Sequence, residues 1–88
     1  MNYLNYKVSG DLGDVVRVKI DTPAFVRLLD PLNFEYYRIG RQFKGQGGWQ
    51  EKLVVEFDIP YKGNFHVLVD LGKDGGMVKA SVDKVRGR

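Results

Sequence analysis

Aromatic and basic side chains are concentrated in one segment of the chain, between residues 36 and 49. The residues concerned are Tyr36, Tyr37, Arg38, Arg41, Phe43, Lys44 and Trp49. A guanidinium group can bind a phosphate through two parallel hydrogen bonds, and an aromatic ring can stack on a base. Glycines at positions 45, 47 and 48 would let the backbone approach a ligand and offer N–H groups to an anion. The segment therefore predicts a ligand-binding surface, with Arg38 and Arg41 as its charged anchors.

A structural role would explain the same residues. Tyr37 and Trp49 would then pack at the edge of the core, and the arginines would pair with acidic side chains. The acids available for this pairing are Asp30, Glu35 and Glu51. The sequence leaves both explanations open.

Catalytic chemistry has little support in the rest of the chain. His66 is the only histidine, and Asp70, four residues further along the same strand face, would lie roughly 12 Å away or more by the rise of a strand. The two serines, Ser9 and Ser81, do not lie in a nucleophile motif, and the chain has no cysteine. We therefore expect no catalytic residue and a protein that is not an enzyme.

Metal and phosphate-loop sites are also poorly supported. With one histidine and no cysteine, a zinc site would need mostly carboxylate ligands. Asp11 and Asp14 are too few for a calcium cage. The glycine-rich stretches 45–48 and 72–76 lack the Gly-Lys-Ser/Thr ending of a phosphate loop, so we interpret both as turns. The expected protein binds no metal and no cofactor.

The composition indicates one small domain with segregated positive charge. The 88 residues have room for a single core, so we expect one domain over residues 1–88. Six of the fourteen basic residues fall within 38–44 and 84–88, which leaves eight against eleven acidic residues. We expect the basic tail 84–88 to be frayed. There is no signal-peptide pattern and no apolar run long enough for a membrane span, so we expect a cytoplasmic protein.

Alternating hydrophobic residues predict short β-strands along most of the chain. The predicted strands span residues 3–8, 16–20, 24–29, 53–59, 63–71 and 78–85, and residues 40–48 form a long loop or an irregular edge hairpin. We expect the last two strands to pair through the turn at 72–76, and strand 53–59 to be the neighbour of strand 63–71. The residues expected to share the core between these two neighbours are Val55, Phe57, Phe65, Val67 and Val69. The predicted fold is all-β: a compact antiparallel β-sandwich or partly open barrel of six to seven short strands with one short helical turn.

The helical turn has start and stop signals. Pro31 suits the first position of a helix, and Asp30 suits the N-cap before it. Gly40 can end the helix, so it spans residues 31–39. Near the end of strand 63–71, Asp70 is expected to cap the following turn with its side chain.

Several short motifs occur in a fixed order and spacing. They are Val26-Arg27-Leu28-Leu29-Asp30, Asn33-Phe34, Tyr37, Gly40-Arg41, Val67-Leu68-Val69-Asp70-Leu71-Gly72 and Val78-Lys79-Ala80-Ser81-Val82. Through them the chain resembles, over residues 10 to 82, a small bacterial family catalogued as a domain of unknown function, family 1883. The resemblance implies an all-β sandwich with no established activity and supplies no site residues. The chain departs from the pattern at Phe65, where the family has a tryptophan, and in the turn after Gly72.

The resemblance also implies a context, because some members are fused to TIR signalling domains. We therefore expect a non-catalytic ligand-binding or sensing module in bacterial or phage defence signalling. Its partner would be a small anionic, nucleotide-like ligand or a protein, with no membrane involved. The alternatives are a domain that binds single-stranded nucleic acid and a structural domain that forms homo-oligomers through an edge strand.

Overall fold

Seven strands and one helix follow one another in the part of the chain that the computed structural model describes, residues 3–72 and 76–85. Their bounds are β1 (Tyr3–Gly10), β2 (Val15–Ile20), β3 (Ala24–Leu29), α1 (Pro31–Arg38), β4 (Gln46–Gln50), β5 (Val54–Asp58), β6 (Gly63–Asp70) and β7 (Ala80–Val85). One sheet has the order β1-β6-β3-β4 and the other β5-β2-β7, with antiparallel pairing throughout. The predicted all-β sandwich is confirmed, in its open form and not as a closed barrel.

The core lies between the two sheets and is built from alternating side chains, as the period of two in the sequence predicts. Its buried members are Val16, Val18, Ile20, Ala24, Val26, Leu28, Val55, Phe57, Ile59, Phe65, Val67 and Val69. Hydrogen bonds close the two sides of the sandwich. The Tyr6 hydroxyl donates to the Ala80 carbonyl over 3.1 Å on one side, and Gln46 Nε2 donates to the Asp58 carbonyl over 3.0 Å on the other.

The expected pairing of the last two strands is wrong. β6 lies between β1 and β3 in the four-stranded sheet, whereas β7 pairs with β2 in the other sheet. The backbone of Asp21, just after β2, donates to the Lys79 carbonyl over 3.1 Å, and the Asp21 side chain accepts from the Lys79 N–H over 2.9 Å. These bonds fix the start of β7 beside β2. The residues of the predicted turn at 73–75 lie outside the described part of the chain.

The expected neighbours β5 and β6 are also in different sheets. β5 pairs with β2, and its Val55 and Phe57 face Phe65, Val67 and Val69 across the core. The prediction that these five side chains are buried together is therefore confirmed, but the prediction that their strands are adjacent is wrong. Alternation shows which face of a strand is buried, and it does not show whether the other strand lies beside it or opposite it.

β6 is buried on both faces, unlike the half-buried strand that its alternation predicts. His66, Leu68 and Asp70 point away from the core between the sheets and are each at most 9% exposed. The helix α1 covers this outer face. A second hydrophobic cluster forms there from Leu29, Tyr37 and Leu68, with Tyr3, Phe34 and Phe43 packed against it.

The helix begins and ends as the sequence predicts. The Asp30 side chain accepts the backbone N–H of Asn33 over 2.7 Å, and Pro31 is in the first turn. At the other end Gly40 has φ +81°, and the N–H groups of Gly40 and Arg41 donate to the carbonyls of Tyr37 and Tyr36. These two hydrogen bonds form a Schellman motif, which requires a residue in the left-handed conformation, here Gly40. The helix is thus fixed at both ends, and Tyr37 packs against Leu29 and Leu68 of the sheet.

The C-terminal tail begins inside the last strand. Lys84 and Val85 of the predicted frayed tail belong to β7, and Lys84 Nζ donates to the Ser9 carbonyl over 3.2 Å, so this part of the prediction is wrong. Residues 86–88 lie outside the described part of the chain. Within the described residues, no helix has the length and apolar character needed to cross a membrane.

Candidate functional site

The seven residues of the predicted binding segment lie in three consecutive parts of the fold. They divide into the helix α1 (Tyr36, Tyr37, Arg38), the loop after it (Arg41, Phe43, Lys44) and the edge strand β4 (Trp49). The structure does not gather them into one cluster. It separates a buried tyrosine and two arginines with intramolecular contacts from a group of rings around a different arginine.

The two predicted anchors have partners within the protein. Arg38 forms an ion pair and two hydrogen bonds with Glu35, one helical turn earlier, of which the bond from Arg38 Nε spans 3.1 Å. The hydrogen bond raises the pKa of Arg38 and lowers the pKa of Glu35. Arg41 is exposed, and its guanidinium carbon lies 4.9 Å from the ring centroid of Tyr36. The pairing expected under the structural explanation is therefore present for Arg38.

Tyr37 is part of the packing between helix and sheet. It is 7% exposed, and its hydroxyl donates to a carboxylate oxygen of Asp70 over 2.8 Å. The other Asp70 oxygen accepts the backbone N–H of Gly72 over 2.7 Å, which confirms the predicted turn cap. Burial, followed by the bond to Asp70, raises the pKa of Tyr37 well above its ordinary value. Tyr37 thus joins the helix to the sheet, and its hydroxyl is already used in the hydrogen bond to Asp70.

Arg27 in β3 is the cation around which aromatic rings gather. Its guanidinium carbon lies 4.8 Å from the ring centroid of Phe25 and 5.3 Å from that of Phe43. Phe25 precedes it by two residues on the same strand face, and Phe43 approaches from the loop after α1. Among the described residues, no side chain or backbone group forms a hydrogen bond or an ion pair with this guanidinium. Cation–π contacts hold it in position and leave its N–H donors available.

Trp49 extends the same surface onto the edge strand. It pairs with Phe25 across β3 and β4, with ring centroids 5.1 Å apart and an interplanar angle of 69°. The side chain remains 49% exposed. We call the group of Phe25, Arg27, Phe43 and Trp49 the Arg27 surface. It lies on the outer face of β3 and β4, joined by Phe43 from the loop after α1.

Gly47 is required by the backbone of the edge strand beside the Arg27 surface. It is the register partner of Arg27 in β4, and a Cβ atom there would point toward the Phe57 ring in the core between the sheets. Its φ is +98°, and a Cβ atom at this position would lie 2.1 Å from the Val26 carbonyl oxygen. Only glycine fits both the conformation and the space.

A hydrogen-bonded latch fixes Phe43 beside Arg27. The Asn33 side chain accepts the backbone N–H of Lys44 over 2.8 Å, while its own amide nitrogen donates to both carboxylate oxygens of Asp30 over 3.1 Å. The helix N-terminus therefore holds the loop that carries Phe43. Phe43 also packs edge-on against Tyr37, with a centroid distance of 5.3 Å. The ring is thus positioned before any ligand arrives.

Sequence reasoning missed Phe25 and Arg27. The composition of the segment from 36 to 49 indicates a site there, whereas these two residues lie in a strand that the hydrophobic pattern explains as part of the core sheet. One signal was present: a strand with core residues Val26 and Leu28 carries Phe25 and Arg27 on its opposite face. An aromatic ring and a cation at that spacing on an outer face indicate an exposed cation–π pair.

His66 has structural contacts only. Its ring stacks on Phe34 with centroids 4.0 Å apart and planes at 13°, and its Nδ1 lies 2.9 Å from the Asn5 side-chain oxygen. Burial, together with the charge of Lys7, lowers the pKa of His66. Its described contacts include no nucleophile, and no group of three or more histidine or acidic residues suited to a metal occurs in the described residues.

The comparisons with known proteins bear on the family alone. Neither the curated proteins nor the solved structures gave a match to the chain. A family model matches the chain over residues 1–88, the whole of its length, under the description Domain of unknown function (DUF1883). The resemblance noted in the motifs is thereby confirmed, and the chain belongs to this family.

Proposed function

We propose that this chain is a non-catalytic binding module that recognises a small anionic ligand on the Arg27 surface. The observation that carries the proposal concerns Arg27: its guanidinium contacts two aromatic rings and makes no hydrogen bond or ion pair with a described residue. An arginine held in place with free donors is prepared to bind an oxyanion through charge-assisted hydrogen bonds.

The position of Arg27 strengthens the proposal. The other strand arginine, Arg17, lies on the outer face of the second sheet and forms an ion pair with Glu56 at 2.7 Å. Arg27 belongs to a strand of the same length and has no such partner in the described residues. Because partly burying an arginine without an acceptor costs free energy, an acceptor supplied by a ligand would recover that cost.

The contacts of His66 support the non-catalytic part of the proposal. Its ring lies between a phenylalanine and an asparagine, and neither can act as a nucleophile or as a second acid–base group. The TIR association implied by the family resemblance fits a sensing module in bacterial or phage defence. A cytoplasmic location belongs to the same proposal.

The test compares two arginine variants in a thermal-shift assay with inorganic phosphate and ribose 5-phosphate. Ligands that bind only the folded protein raise the melting temperature. We expect both anions to stabilise the wild type and the Arg17→Gln control, and to lose most of this effect in Arg27→Gln. Equal shifts in all three proteins would place the anion site elsewhere.

A single-stranded nucleic acid is the second candidate ligand, and one observation favours it. Phe25 and Trp49 are neighbouring rings on an uncovered sheet face, which is a stacking platform across which a strand could run. Binding to a strand would weaken steeply with salt, because each neutralised phosphate releases counterions. The slope of affinity against salt concentration therefore separates the two candidates.

The structural alternative, a domain that forms homo-oligomers through an edge strand, has less support than ligand binding, because the four sheet edges are poorly suited to pairing. Charged side chains mark three of them: Lys7 in β1, Glu56 in β5 and Asp83 in β7. The fourth, β4, contains Gly47 and Gly48 at positive φ, which disturb a regular ladder. Charges and irregular backbone are the usual protection of edges against pairing with another chain.

A further inference from the structure

We infer that the ligand of the Arg27 surface carries one oxyanion and one planar ring in a single unit, as a nucleoside monophosphate does. This inference rests on the function proposed above and adds the class of ligand. It follows from three features: the available N–H groups of Arg27, the exposed ring of Trp49 and the distance between these two residues.

The oxyanion follows from how Arg27 can be approached. Phe25 and Phe43 both contact the guanidinium through their rings, and its N–H groups make no hydrogen bond to a described residue. A ligand would therefore bind the guanidinium through these N–H groups. A phosphate can accept two parallel hydrogen bonds from a guanidinium presented in this way.

The planar ring follows from Trp49. Its contact with Phe25 has an interplanar angle of 69°, and 49% of the side chain is left exposed. Trp49 pairs with Phe25, two residues before Arg27, so Trp49 and Arg27 are diagonal neighbours across two strands. Such neighbours have Cα atoms about 7–8 Å apart. A base and a phosphate on opposite sides of one sugar can bridge this distance.

The charges around the surface favour one nucleotide unit over a longer strand. Arg38 is already paired with Glu35. A carboxylate, Asp70, occupies the same cross-strand row as Phe25 and Trp49. A second phosphate placed along this row would therefore meet a carboxylate and not a cation.

The sequence supplies a reporter for this site, because Trp49 is the only tryptophan of the chain. Its fluorescence, excited at the red edge of its absorption where bases do not absorb, would be quenched by a stacked base. We would titrate the full chain with AMP, ribose 5-phosphate, adenosine and oligoadenylates of increasing length, and repeat each titration by calorimetry with Arg27→Gln, Trp49→Leu and the Arg17→Gln control. Circular dichroism would verify that each variant is folded.

The expected result has three parts. AMP quenches Trp49 and binds roughly 5- to 150-fold more tightly than ribose 5-phosphate, the range for one stacked base. Trp49→Leu reduces AMP affinity to that of ribose 5-phosphate and leaves ribose 5-phosphate unchanged. Arg27→Gln weakens AMP binding by at least about tenfold, as expected for a hydrogen bond to a charged group.

Three other results would overturn the inference. If ribose 5-phosphate binds as tightly as AMP and both depend on Arg27, the proposed anion-binding function is supported, but the inference that the ligand carries a planar ring stacked on Trp49 is wrong. If an oligonucleotide binds more tightly than AMP in proportion to its length, the ligand is a strand. If no anion shows dependence on Arg27, the proposed function itself fails.

Discussion

The hydrogen bond between Tyr37 and Asp70 joins the helix α1 to the sheet beneath the Arg27 surface, and Tyr37→Phe removes it with little change in shape. Both residues are less than 9% exposed, and the bond spans 2.8 Å to a carboxylate. Hydrogen bonds to charged groups contribute roughly 1.5–3 kcal/mol to stability. We expect the free energy of unfolding to fall by about this amount at neutral pH, a large part of the total for so small a domain.

The same substitution should change the dependence of stability on pH. In the unfolded chain Tyr37 loses its proton near its ordinary pKa of 10.0, whereas burial and Asp70 keep it protonated in the folded protein. The folded state then binds more protons, so the stability that Tyr37 contributes is complete below pH 10.0 and is lost as the pH rises above that value. The slope is at most about 1.4 kcal/mol per pH unit. Tyr37→Phe should lose this contribution.

Urea unfolding followed by circular dichroism at neutral and alkaline pH would measure both effects. Tyr61→Phe is the matched control, because its ring is half exposed and its hydroxyl makes no hydrogen bond to a described residue. The control should behave as the wild type. A Tyr37→Phe protein within about 0.5 kcal/mol of the wild type at neutral pH, with the same alkaline slope, would refute the reasoning.

Three further predictions concern the core, the latch and His66. Phe57→Ala or Phe65→Ala should cost roughly 3–5 kcal/mol and leave little folded protein in a denaturation experiment, because both rings are in the core between the sheets. Asn33→Ala removes the bonds to Asp30 and to the Lys44 N–H, and should weaken AMP binding at the Arg27 surface while leaving most of the secondary structure intact. Because burial lowers the pKa of His66, the folded state favours its neutral form, so stability should fall as the pH drops below its ordinary value of 6.5. In acid unfolding curves, His66→Gln should therefore lose less stability below this pH than the wild type. A variant with the same curve as the wild type would contradict the role given to His66.

The strands and the helix ends could be predicted from the sequence because their signals are local. Alternation identified Phe57 and Phe65 as core residues, and the residue types of Asp30 and Gly40 identified the ends of α1. Which strands pair depends on contacts between distant residues. β6 and β7 carry matched hydrophobic faces whether they lie side by side or in opposite sheets, and the hydrogen bonds between Asp21 and Lys79 beside the start of β7 are not predicted by hydrophobic periodicity.

The candidate site was predicted in part, for a related reason. Composition identified Phe43 and Trp49, which do belong to the Arg27 surface, but it also selected Tyr37 and Arg38. A tyrosine that supports a helix and a tyrosine that meets a ligand look alike in sequence. Arg27 could be identified only from the structure. The sheet register places it opposite Gly47, and the packing of the loop after α1 places the Phe43 ring beside it.

The glycine at position 47 also limits how this surface can change during evolution. Any larger residue there would direct its Cβ toward the Val26 carbonyl oxygen and the Phe57 ring. A substitution would therefore destabilise the edge strand and could not place a new side chain beside Arg27. Diversification among homologues should then be confined to Phe43, Lys44 and Trp49, where ligand preference can shift while the backbone of the edge strand stays the same.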